Sequence, residues 1–287
     1  MSGVRPLVFT PDFRRWFWGV TVPLLLIVIT AGLLAWSDPL NSQQPERQVE
    51  NTAFGRGEVF VFRAMYYSRV TGNVTAGEAS LRILPERVMV GGQPTMKIVG
   101  QANTRGVFNW FFTVENLYES YLQEEYVAPV RFYKTIREGR YRRNADIWFD
   151  LENSTATTPD TVVHTSPFVQ DIISAFYYAR TFDVESARPG DSFELELFHR
   201  DTVYVSRILF EGREQITTSL GTFNTLRFKP QVLEGAVFSQ PYPMTLWISD
   251  DKNKMPVRAE SGLVVGRARL DLVEFGGLRN SVTSFIP

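Results

Sequence analysis

From Asn51 onward, apolar side chains recur at every second position, and this period of two constrains the fold of the 287-residue chain more than any other feature. In "DSFELELFHR", Phe193, Leu195 and Leu197 point one way while Ser192, Glu194 and Glu196 point the other, the pattern of a half-buried antiparallel strand. Similar runs are "GEVFVFRAMYY" from Gly57, "EASLRIL" from Glu78, "GVFNWFFTVE" from Gly106, "VRFYKTIREG" from Val130 and "RYRRNADIWFDLE" from Arg140. "TVYVSRILFEG" from Thr202, "FNTLRFKPQV" from Phe223, "PMTLWISD" from Pro243 and "GLVVGRARLDLVEF" from Gly262 complete the set. Turn-forming residues separate these runs about every ten positions, which signals hairpins and meanders. A twisted sheet of about ten strands or more curls or closes, because an open one leaves unpaired edges. The pattern predicts one all-β domain over residues 51–287, a single antiparallel barrel or deep half-barrel.

One stretch breaks the period. "SPFVQDIISAFYYAR", Ser166 to Arg180, has helical spacing, with Ser166 suited to cap a helix and Pro167 to its first position. Val169, Ile172, Ile173, Ala175, Phe176 and Ala179 cover most of the circumference of such a helix, so it requires burial on most sides. The concave face or mouth of a curved sheet provides that, and the helix is expected to cover or plug the barrel.

Ahead of the domain, Trp16 to Trp36 contains no charged residue and is long enough for a helix to cross a bilayer. Arg14 and Arg15 precede it, which places residues 1–15 in the cytoplasm, 16–36 in the membrane and the remainder outside. The segment offers no good small-x-small cleavage site, so a retained transmembrane helix or uncleaved signal anchor is favoured over a removed signal peptide. Residues 37–50, with Pro39 and Pro45 among many polar residues, have the composition of a linker. These features imply anchoring in a bacterial inner membrane with the C-terminal domain in the periplasm.

Composition narrows the chemistry. Cysteine is absent, which excludes disulfides, thiolate metal sites and a lipidated cysteine anchor. The chain has formal charge −1, and its first 36 residues hold three Arg against Asp12, leaving −3 on the rest; nothing in that balance suits nucleic acid. His164 and His199 have no second ligand at short spacing, and no nucleotide-binding, zinc-protease or serine-hydrolase motif occurs, so no catalytic residue, metal or cofactor is expected. Asp250, Asp251 and Asn253 could offer oxygen ligands to calcium, but a tight turn explains them more simply. Arg137, Arg140, Arg142 and Arg143 could meet phosphate or lipid head groups, and a solvated hairpin tip explains them equally.

Several segments together resemble a bacterial envelope family known only as domain of unknown function 3108 (DUF3108). They are "NTAFGRGEVFVF" at Asn51, "TAGEASL" at Thr75, "ENLYESYLQ" at Glu115, "REGRYRRNADIWFD" at Arg137, "DIISAFYYAR" at Asp171, "EGREQI" at Glu211, "GTFNTLRFKP" at Gly221 and "LWISDDKNKMPVRAES" at Leu246. The resemblance implies a secreted or envelope β-barrel-like domain and brings no catalytic residue. The hairpin around Trp247 is also similar, over its own length, to hairpins of periplasmic lipoprotein carriers and of an anti-sigma regulator that senses envelope lipids.

An aromatic content of 14% in a chain without catalytic signature favours a non-catalytic protein that holds a lipid or other hydrophobic ligand. Trp110, Phe112, Phe176, Tyr177, Phe238 and Trp247 are the expected lining residues. One alternative is a structural component docking onto an envelope protein complex through an exposed apolar patch. Another is a glycan hydrolase using carboxylates such as Asp150, Asp250 or Asp251 brought into one cleft.

Overall fold

The computed structural model describes residues 47–69, 72–106, 109–110, 113–231, 242–263 and 266–286. The expected membrane span at 16–36 lies outside them, and among the described residues no helix is long and apolar enough to cross a membrane.

The strands run β1 (Val59–Ser68), β2 (Gly72–Val90), β3 (Gln93–Thr104), β4 (Glu115–Gln123), β5 (Ala128–Glu138), β6 (Tyr141–Asp150), β7 (Thr155–Thr157) and β8 (Val162–His164). Helix α1 (Ile172–Ala179) follows. Then come β9 (Ser192–His199), β10 (Thr202–Thr218), β11 (Gly221–Pro230), β12 (Met244–Ser249), β13 (Pro256–Gly262), β14 (Arg267–Gly276) and β15 (Phe285–Ile286). All belong to one antiparallel sheet, ordered β8-β7-β6-β5-β4-β3-β2-β1-β14-β13-β12-β11-β10-β9, with β15 added beside β11. Nearly every strand pairs with its neighbour in sequence; the exceptions are β1 with β14, which joins the two halves of the meander, and β15 with β11.

The path has two ends, so the closed barrel does not form. It is nevertheless strongly rolled. Phe149 of β6 and Phe198 of β9 lie close to opposite ends of the path, yet their rings meet edge-on at 5.8 Å. Between the ends, Gln170 makes a single parallel bridge to β9, its N–H donating to Glu196 O at 2.9 Å and its carbonyl accepting from Phe198 N at 2.8 Å. Register shifts in β1, β2 and β10 supply local bends. At the β10 shift Gly212 has φ +135°, a conformation that side-chain-bearing residues rarely adopt.

The main core gathers Ile83, Ile98, Tyr118, Phe132, Phe149 and Phe198 from the sheet around Val169, Ile173 and Tyr177 of the helical segment. Burying one such side chain contributes about 1.5–3 kcal/mol, so this cluster is what holds the helix inside the roll.

Four boundaries differ from the sequence expectation, each for a local reason. The helix starts five residues later than the Ser166 cap implies, because Phe168 takes a left-handed φ of +61° and stops regular helix there. Its N-cap is Asp171, whose Oδ1 accepts from Ile173 N and Ser174 N while Ser174 Oγ accepts from Asp171 N. The run "GVFNWFFTVE" is not one strand: Asn109 and Trp110 are helical, and β4 begins at Glu115. The run "GLVVGRARLDLVEF" divides at a turn, leaving Gly262 in β13 and Arg267 in β14. Finally, packing begins inside the segment read as linker. The Arg47 guanidinium lies 3.6 Å from the Tyr178 ring centre and donates to Phe168 O at 3.2 Å, and Val49 packs on the main core.

Candidate functional site

Between α1 and one half of the sheet lies an apolar cleft with about 100 Å³ of free space, open to solvent. Its floor follows from the sheet register. Leu246 pairs with Ala259 and Ala259 with Leu270, while Phe62 pairs with Ala79 and Ser261 with Ala268. Every second residue of β1, β2, β12, β13 and β14 therefore faces inward, but three of these positions are alanine, Ala79, Ala259 and Ala268. Small side chains thin the floor where larger ones would fill it. The roof is Ile172, Ile173 and Phe176, one face of α1.

Both ends of the roof are fixed. At its start, Ser120 Oγ of β4 donates to Asp171 Oδ2 at 2.6 Å, so the helix cap is bonded to the sheet. Burial pushes the Asp171 carboxyl up to about 6, against the opposing effect of Ser120 and the cap N–H groups. At its end, Arg180 is buried among the rings of Phe54, Phe60, Phe176 and Tyr177. Its Nη1 and Nη2 donate to the two oxygens of Glu58 at 2.6 and 2.7 Å, and Nε and Nη2 to Asn253 O at 3.2 and 2.7 Å. Burial, followed by the Glu58 carboxylate, holds the Tyr177 phenol well above its ordinary range.

The expected lining residues fall in different places. Phe176 lines the cleft. Tyr177 is wholly buried in the core, its ring edge-on to Phe54 at 4.9 Å. Trp247 does not line the cleft; it lies one position out of phase with Met244 and Leu246, which do, and its indole N–H donates to Glu214 Oε1 at 2.7 Å. Trp110 is 87% exposed. Phe112 and Phe238 are outside the described residues. Sequence reasoning missed Phe62, Leu246, Leu270 and the three alanines; the usable signal was the phase of alternation in "PMTLWISD" and "RARLDL", where the inward set is aliphatic.

The carboxylates considered for hydrolysis are not together in the cleft. Asp150 caps its own turn through Glu152 N, Asn153 N and Asn153 Nδ2. Asp250 pairs with Arg213, and Asp251 accepts from Ser249, Asn253 and Ser284 in the β12–β13 connection. Among the described residues no three His, Asp or Glu side chains gather as a metal site would need.

Comparison with known proteins gives the following. The family model described as a protein of unknown function (DUF3108) matches residues 62–273. No curated protein matches the chain. Among solved structures, a β-barrel-like protein of the DUF1849 domain from Brucella abortus is similar with TM-score 0.52 at 8% identity, over 80% of this chain and 98% of its own. A "putative lipoprotein" from Parabacteroides distasonis has TM-score 0.33 at 13% identity, over 80% and 100% of the two chains. A "putative exported protein with YmcC-like fold" from Bacteroides fragilis has TM-score 0.31 at 11% identity, over 78% and 97%. At these identities the DUF1849 likeness speaks to the fold alone.

Proposed function

This chain belongs to the DUF3108 family, and from that premise we propose that it is a non-catalytic, membrane-anchored envelope protein whose half-barrel holds the acyl chain of a lipid or a similar hydrophobic segment. The observation that carries the reading is the cleft under α1, walled by aliphatic and aromatic side chains and floored by alanines. The hollow holds about 100 Å³ of free space, room for a short stretch of an acyl chain, and water in such a hollow gains little from an apolar wall. The roof is bonded at both ends, so the space is built into the fold and does not depend on a ligand to open it. Anchoring through residues 16–36 would set the cleft beside the membrane that supplies such chains.

The test is native mass spectrometry of the full-length protein released from membranes in mild detergent. The expected result is a co-purifying lipid lost from the Ala259→Phe variant, in which a phenyl ring occupies the floor. A wild-type protein that carries no lipid from its own membrane, and takes up none from vesicles of that membrane's lipids, would sink the reading.

A further inference from the structure

Away from the cleft, the inner face of β5 carries a lysine whose amine lies 5.9 Å from the Phe132 ring centre. Lys134 is 8% exposed, opposite Tyr118 on β4 and Ala145 on β6, and among the described residues its amine has no hydrogen-bond or ion-pair partner. The other basic side chains of neighbouring strands are placed differently. Lys97 pairs with Glu119, Arg131 with Asp146 and Arg137 with Glu115, each across a strand boundary.

Two acids of this region, Glu138 and Asp171, are committed elsewhere. Glu138, on the same face of β5, accepts from Asn116 Nδ2 at 2.7 Å. Asp171 is occupied by Ser120 and the first turn of α1. Around Lys134, Arg143 and Arg200 add positive charge and Asp201 a single further carboxylate, so the cations are in surplus. Arg143 pairs with Ile136, two residues along β5, which places it diagonally across from Lys134 on the same face. Arg200 sits at the β9–β10 turn, where it and Asp201 both take left-handed φ, +49° and +60°. That hairpin is held against this face, since Phe198 meets Phe149 and Val203 packs on the core around Phe132 and Ile147. Neither arginine has an ion-pair partner among the described residues. Burial, then Arg143 and Arg200, pull the Lys134 amine down to about 8 against the opposing pull of Asp201 and Asp171, and burial, then Lys134, Arg200 and Arg143, hold His199 down at about 3.

A surplus of cations around a buried amine costs free energy unless further negative charge is present. We infer that Lys134, Arg143 and Arg200 form an oxyanion site on the inner face of β5 and β6, fitted to a phosphate group, either free or at the head of a lipid. Three cationic donors from three different segments match the several acceptor oxygens of a phosphate. The site stands apart from the apolar cleft and does not rest on the lipid reading.

Calorimetric titration of the full-length protein in detergent, with inorganic phosphate at fixed ionic strength and chloride as the reference anion, tests it. Saturable phosphate binding is expected, weakened about tenfold or more in Lys134→Met and about three- to tenfold in Arg200→Ala, with Arg207→Ala unchanged because Arg207 is paired with Glu194. Arg200 is exposed, so its variant keeps the test valid if Lys134→Met does not fold. Phosphate heats no different from chloride, or a folded Lys134→Met and Arg200→Ala that both bind phosphate as tightly as wild type, overturn the inference. Dihexanoyl phosphatidate separates the sources. Binding about tenfold tighter than inorganic phosphate assigns the site to a lipid head group, and equal binding assigns it to the free anion.

Discussion

The two ends of α1 are fastened by opposite means. Its C-terminal end is held by a charged pair, Arg180 with Glu58, that is 2% and 0% exposed and has no water to fall back on. Its N-terminal end is held by a cap, Asp171 with Ser120, in which one carboxylate satisfies a strand hydroxyl and two helix N–H groups. A buried ion pair is nearly neutral as a whole but costly to halve, whereas a cap is modestly favourable and tolerates a neutral replacement. The C-terminal fastening therefore specifies where the helix lies, and the N-terminal one tunes how firmly it stays. The cleft exists because the fastenings go to different strands, β4 at one end and the approach to β1 at the other, leaving the middle of the helix standing over the alanine floor.

Arg180→Ala should break the comparison most severely. Leaving Glu58 buried and unpaired is expected to lower unfolding free energy by about 3–5 kcal/mol, measured by chemical denaturation of the full-length protein. Asp171→Ala removes the cap and should cost about 1–2 kcal/mol by the same measurement. An Asp171→Ala loss larger than that of Arg180→Ala would invert the assignment of roles.

Smaller still is the effect of Asp171→Asn, which sharpens the comparison through pH. The folded carboxyl titrates near 6, above its value of 3.8 in an unfolded chain, so the folded state binds the proton more tightly. That contribution to stability is complete below about pH 4 and is lost as pH rises through about 6. Asparagine caps about as well as aspartate and does not titrate, so the variant should flatten the pH–stability curve between about pH 4 and 6. An unchanged slope would show that Asp171 is not its source. Ala259→Phe should have the least effect on stability, within about 1.5 kcal/mol, because the ring enters existing space, while abolishing lipid retention.

Much of this fold is legible in the sequence because alternation is a strong local signal. "DSFELELFHR" folds as read, with Leu195 and Leu197 buried and Ser192 and Glu194 exposed. β3 was not legible, since its inward positions Met96, Ile98, Gly100 and Ala102 taper to residues without a hydrophobic signature, and Pro94 near its start argues against a strand. Helix existence was readable from 3.6-residue spacing, but its start was set by the left-handed Phe168, which no pattern announces. Arg180 and Glu58 lie 122 residues apart and neither is unusual where it stands. Their pairing is a product of tertiary closure. The cleft was harder again: of the aromatics that drew attention Phe176 lines it, but Tyr177 is in the core and Trp247 is out of phase, and the space itself depends on alanines. Absence of bulk leaves little trace in composition.

The single bridge made by Gln170 has a further consequence for how these molecules behave toward one another. β9 ends the strand path, and a terminal strand offers free amides and carbonyls to any other chain. Gln170 occupies Glu196 O and Phe198 N in the last half of that strand, where a foreign strand would need them. The approach to the helix thus doubles as a guard rail against runaway self-association in a crowded compartment.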